Sequence, residues 1–221
     1  MILTTPILLG AEAPRVLTVP MVAAVLADRR KMPARHSVFK WIREQVAGGM
    51  LQPVTRGLYL NLMASPRPSA ADAAAFIRSG AVVSLQTVLG EAGVTNNYSD
   101  IVTSVVSHGA GHRPSVRTVR AGRMEFRFHA LPDRLVDARA GALEDRLDSE
   151  AKHPRSTPEK ALLDWIYLGE SPRTKIAGPP LDTDLDRIDK RRLRKLAKAM
   201  GLIRPLNSYL ERKRLHDKSG S

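Results

Sequence analysis

The side chains best suited by type and spacing to a specific chemistry are cations near the N-terminus. Placing residues 36–47 at steps of about 100° from Val38 puts Val38, Phe39, Trp41, Ile42, Gln45 and Val46 on one face of a helix. His36, Ser37, Lys40, Arg43 and Glu44 fall on the opposite face. A basic helical face of this kind suits DNA, because the major groove admits a helix and its Lys and Arg meet phosphates or base edges there. Arg35 lies at the start of the same helix, where free backbone amides attract a phosphate. Arg56-Gly57 stands between two short apolar runs, the place of a tight turn whose Arg can reach the DNA backbone or minor groove. The competing reading is a face that is merely solvated.

The elements that must position these residues follow from the pattern around them. Residues 20–29 predict a short helix capped by Thr18, and the polar stretch from Asp28 to Arg35 predicts a turn. The helix 36–47 stops at Gly48-Gly49, and Met50–Leu60 predicts two strands meeting at Arg56-Gly57. Helix, basic turn, basic amphipathic helix and hairpin is the order of a winged helix-turn-helix, although residues 1–17 predict no first helix. Ser65-Pro66-Arg67-Pro68-Ser69 predicts a linker, because each Pro restricts its own backbone and its predecessor's. A second break falls at Gly178-Pro179-Pro180. Three segments result: residues 1–66, a DNA-binding module; 67–180, a small mixed helix–sheet domain; and 181–221, a basic helical extension.

In the middle segment, Ala70–Arg78 and Gly80–Gly93 predict helices, and Ile101–Ser107, Val116–Arg120 and Met124–His129 predict strands. Thr157-Pro158-Glu159 opens a further helix with a cap, a Pro at the first helical position and an acid in the first turn. The class is α+β. On that last helix Lys160 and Asp164, four residues apart, are expected to be exposed together, as a mutual pair or a partner surface. From Asp182 to Met200 a basic amphipathic helix is expected. Leu185, Ile188, Leu193, Leu196 and Met200 make its apolar stripe, and Lys190, Arg191, Arg194, Lys195 and Lys198 its basic side. That side reads as a solvated face or as a second phosphate-contact surface, while the absence of Trp and Phe from the stripe disfavours a membrane.

Composition removes much other chemistry. The 221 residues hold no Cys, which excludes disulfides, thiolate metal sites and a cysteine nucleophile. With 35 Lys and Arg against 22 Asp and Glu, the formal charge is +13, a balance that favours polyanionic partners. Its excess sits at the ends: 8 basic and 3 acidic residues before position 66, and 12 and 6 after position 180. No apolar run approaches the roughly 18 residues that a spanning helix needs, so the chain is expected to be soluble, unsecreted and cytoplasmic. Asp182-Thr183-Asp184-Leu185-Asp186 begins like a calcium loop, but Arg187 and Leu193 stand where Gly and Glu are needed. His108 and His112 flank a Gly-Ala-Gly turn with no third ligand, so neither a metal nor a cofactor is expected. No nucleophile elbow, phosphate-binding loop or dinucleotide fingerprint occurs, and no enzymatic activity is expected.

Four motifs in order carry a resemblance. Arg56-Gly57-Leu58-Tyr59 closes the hairpin, and Gly80 to Leu85 begins a Gly-Ala-x-x-Ser-Leu segment that ends near Gly93. Phe126 to Pro132 forms an aromatic, His-containing run before Leu-Pro, and Thr157–Asp164 reads Thr-Pro-Glu-Lys-Ala-Leu-Leu-Asp. Over about residues 18–170 the chain resembles the AbiE-type (abortive infection) antitoxins of type IV toxin–antitoxin systems. The resemblance implies an N-terminal module that binds inverted repeats in double-stranded DNA at its own promoter. It also implies a following domain that counteracts a nucleotidyltransferase-like toxin, directly or indirectly. The alternative is a protein-interaction module that holds a partner through residues 70–170 without specific DNA binding.

Overall fold

The computed structural model describes residues 8–27, 34–96, 99–108, 116–122, 124–136, 152–172, 174 and 176–219. Residues 28–33 of the turn expected at 28–35, His112 and the greater part of 137–155 lie outside the described residues, and Arg35 already belongs to the following helix. The chain is mixed α+β and divides into two units, Met1–Ile77 with Arg120–Met124, and Arg78–Val119 with Glu125–Ser221.

In the first unit, β1 (Val16–Thr18) runs directly into α1 (Val19–Leu26). Thr18 is extended and its hydroxyl accepts from the Met21 amide at 3.4 Å, which is the expected cap. The helix α2 spans Arg35–Ala47 and stops at Gly48-Gly49, with Gly49 at φ +71°. Val38 and Ile42, each 2% exposed, turn inward as the helical phase predicts. They join Leu17, Val22, Leu51 and the helical, buried pair Leu8 and Leu9 in one core. This contribution from before residue 10 was not foreseen.

The expected hairpin is β2 (Leu51–Thr55) and β3 (Leu58–Asn61), with Gly57 at φ +81° in the turn. Antiparallel pairing of β1 with β3, from Val16↔Leu60 to Thr18↔Leu58, gives the sheet order β1-β3-β2. Pro53 lies on β2, an edge strand, where a missing N–H breaks no central ladder. The stretch Ser65–Ser69, expected as a linker, is held down within this unit. The Arg15 guanidinium reaches Asp72 at 2.9 Å and the Arg67 carbonyl at 3.3 Å, and Asp72 in turn accepts from the Ser69 amide at 2.8 Å. Asp72 so placed begins a 3₁₀ turn, Ala70–Ala73, that continues as α3 (Ala74–Ile77).

In the second unit the helix expected over Gly80–Gly93 is only half present. Val82–Val83 form a short strand, β4, Leu85 takes φ +58°, and α4 begins at Gln86 and ends at Glu91. The β-branched pair prefers the pleated sheet, where Val82 and Val83 pair antiparallel with Val105 and Ser104. The other strands are β5 (Ile101–His108), β6 (Val116–Ala121) and β7 (Met124–Pro132), in the order β4-β5-β7-β6. β5 and β7 are parallel in unbroken register from Ile101↔Glu125 to His108↔Pro132. A single turn, α5 (Asp133–Val136), follows.

Next come α6 (Pro158–Glu170), α7 (Lys190–Met200) and α8 (Ile203–Ser219). The helix expected from Asp182 therefore starts eight residues late. Asp182, Asp184 and Asp186 precede it, and Asp189 caps it by accepting from the Arg191 and Arg192 amides at 2.8 and 3.0 Å. An Asp competes well for amide protons just outside a helix and poorly inside one, so the last Asp of the series sets the boundary. Gly201, at φ +69°, ends α7 and lets α8 follow at once.

His129, on β7, is 6% exposed, and its Nδ1 has no hydrogen-bond partner among the described residues. Burial first, and the charge of Arg127 second, hold its pKa down at about 4. The neutral ring is favoured in the folded chain, whereas the unfolded chain takes up the proton near pH 6.5. Stability from this group is therefore full above about pH 6.5 and lost as the pH falls toward 4. Urea unfolding at pH 5 should show about 2 kcal/mol less stability than at pH 7 from this group alone. His129→Leu should remove that part of the difference, and an unchanged pH dependence would refute the assignment.

Candidate nucleic-acid interface

α2 owes its exposed face to the same periodicity that buries Val38 and Ile42. His36, Ser37, Lys40, Arg43, Glu44 and Ala47 are all exposed, along with Arg35 at the first turn. Arg35 turns aside from that arc, with its guanidinium carbon 5.5 Å from the centre of the Phe39 ring. This stacking holds the cation beside the helix N-terminus. Among the described residues, Lys40, Arg43 and Arg56 have no carboxylate within 4.0 Å. The cations of this unit's exposed helix face are thus presented to solvent instead of being neutralised by the described residues.

Arg56 is exposed in the β2–β3 turn, while Gly57 is tied down: its carbonyl accepts from the Val19 amide at 3.2 Å. The left-handed φ of Gly57 makes this two-residue turn possible. The turn is therefore short and anchored at its Gly, with the Arg side chain left outward. α2 and the hairpin share one core, through Ile42 and Leu51, so a single rigid module carries both sets of residues.

The second group of predicted residues belongs to the other unit. Lys190, Arg191, Arg194, Lys195 and Lys198 are exposed on α7, opposite buried Leu193, Leu196, Ala197 and Met200. Lys190 contacts Asp186 at 2.8 Å; that hydrogen bond, with the lysine's charge, lowers the Asp186 pKa. The rest of the expected basic helical extension forms a separate helix, α8, with exposed Arg204, Arg212, Arg214 and Lys218. Residues 190–219 hold eleven Lys and Arg against two acids. A 17-residue helix with few apolar positions gives a weak periodic signal, which is why α8 was not read separately.

Lys160 and Asp164 require a correction: they are 3% and 0% exposed and lie inside the second unit, not on its surface. They do pair with each other, Lys160 Nζ donating to Asp164 Oδ1, and Ser84 Oγ donates to Asp164 Oδ2 at 2.8 Å. Most of α6 is buried because α4, α7 and α8 all pack against it, and exposure is confined to its last residues, Gly169 and Glu170. Other residues of the same motif also work as joints. Thr157 caps α6, and Glu159 accepts from the Asp189 amide at 3.1 Å, fastening the start of α7.

Among the described residues no group of three or more His, Asp or Glu is placed to hold a metal ion, and no helix is long and apolar enough to cross a membrane. In comparisons with known proteins, no family model matches the chain, and no curated protein matches it.

Proposed function

We propose that this chain is a DNA-binding transcriptional autorepressor and antitoxin of the AbiE-like kind, acting in the cytoplasm. In this reading its first unit is a winged helix-turn-helix, with α1 and α2 as the helical pair and β2–β3 as a short wing. The observation that carries it is the set of exposed cations on α2 and at Arg56, within one module and with no acidic partner among the described residues. Some exposed cations elsewhere are satisfied internally, as in Arg187–Asp184, Arg212–Glu170 and Arg214–Glu211, whereas Arg191, Arg194 and Lys198 on α7 are as open as those of α2. Arg35, His36, Ser37, Lys40 and Arg43 then meet the major groove, and Arg56 with the Gly57 turn meets the backbone beside it. Lys190, Arg191, Arg194, Lys195 and Lys198 supply a second surface for phosphates. The resemblance in the motifs supports the antitoxin half of the reading, with a nucleotidyltransferase-like toxin as the protein countered.

A gel shift with the DNA upstream of the chain's own gene, against random duplex, tests the proposal. Preferred and salt-sensitive binding to inverted repeats is expected. Arg56→Ala should weaken binding to all sequences and lower the salt slope by about one phosphate's worth, roughly 0.9. Arg43→Ala should also relax site choice, at about 1–3 kcal/mol for its base pair. Equal retention of promoter and random DNA would remove the repressor reading. Capture of the neighbouring gene's product by a chain that retains no DNA would favour a partner-binding module instead.

A further inference from the structure

Glu44 is the one carboxylate on the exposed face of α2, and one of three among the first 65 residues. Nothing among the described residues explains it. Among the described residues no cation lies within 4.0 Å of it, although Lys40 stands four positions before it. Lys before Glu is the less favourable order for such a pair, so the helix draws little from the arrangement. Glu44 also sits in the last turn of α2, where the helix dipole disfavours negative charge, so it serves neither as a cap nor as a dipole partner.

We infer that Glu44 is the specificity-determining residue of α2, accepting a hydrogen bond from the exocyclic amine of a cytosine in the major groove. This rests on the proposed DNA-binding reading. A carboxylate between the cations of a face laid on DNA repels phosphate and gains only opposite a base-edge donor, and cytosine N4 is the donor that Glu accepts from. His36 and Glu44 are eight positions apart, about 12 Å of helix, which matches the width of the major groove at about 12 Å. Lys40 and Arg43, beside Glu44 on the same arc, supply attraction, and Glu44 makes that attraction conditional on sequence.

The test is selection by the full chain from a pool of random-sequence duplexes, followed by binding of single-base variants of the selected site. Wild type should fix a cytosine at one position of each half-site, and changing that base should weaken binding roughly 5- to 150-fold. Glu44→Gln, an exposed and nearly isosteric change, should shift that position toward adenine and raise affinity for unselected DNA, because Gln pairs with adenine and repels no phosphate. A Gln variant that selects the same site with the same penalty at every base overturns the role of Glu44 and leaves the DNA-binding reading standing. A wild-type chain that selects no sequence overturns both.

Discussion

Asp164→Ala should cost about 3–5 kcal/mol of stability, the usual effect of removing one member of a buried ion pair. Asp164 is fully buried and receives both the Lys160 ammonium and the Ser84 hydroxyl. Its loss takes the pairing carboxylate from an ammonium that is 3% exposed and a partner from a buried hydroxyl. Helix propensity pulls the other way, since Ala is the best helix former, but by less than about 0.7 kcal/mol. Urea unfolding followed by the fluorescence of Trp165, buried in the same helix, measures the result. Lys160→Met combined with Asp164→Ala should recover a large part of the loss, because apolar replacement of a whole buried pair is often neutral. A double variant as unstable as the sum of the two single ones would show that the pair is not coupled.

That result bears on how much of the molecule was legible in its sequence. The helical phase of α2 was read correctly because Val38, Ile42 and their polar counterparts repeat over three turns, and the hairpin because Gly57 marks its turn. β1 was missed because three residues carry no alternation, and β4 because Val82-Val83 continues a run that also fits a helix. The exposure of Lys160 and Asp164 was misjudged for a different reason. Helical spacing says which residues share a face, but not how many neighbours surround the helix, and α6 has neighbours on several sides. Charged residues are almost never fully buried unless paired, so the two charges at i and i+4 were compatible with either place. On α2 the exposed face was legible, but that Glu44 has no cation within 4.0 Å among the described residues only coordinates supply.

Gly169→Ala should destabilise the second unit, against what its place in a helix would suggest. Gly169 lies near the end of α6, where Ala is worth about 1 kcal/mol more than Gly by propensity. A Cβ there would stand 2.4 Å from the Gly178 Cα and 2.7 Å from its nitrogen. Both atoms are backbone, so no rotamer change relieves the clash, and the chain around 178 must move away from the helix. That chain is held to α6 by the Trp165 Nε1 bond to the Ala177 carbonyl at 2.8 Å, which the displacement would strain. Overpacking of this kind costs about 1–3 kcal/mol, enough to outweigh the propensity gain. Gly178→Ala is the internal contrast. Its Cβ would meet only the Gly169 Cα, at 3.9 Å, which is ordinary contact, so it should unfold within about 0.5 kcal/mol of wild type. The demand for glycine is thus one-sided across a symmetric-looking Gly–Gly approach. Equal unfolding midpoints for the two variants would mean that the approach at 169 is looser than 2.4 Å implies.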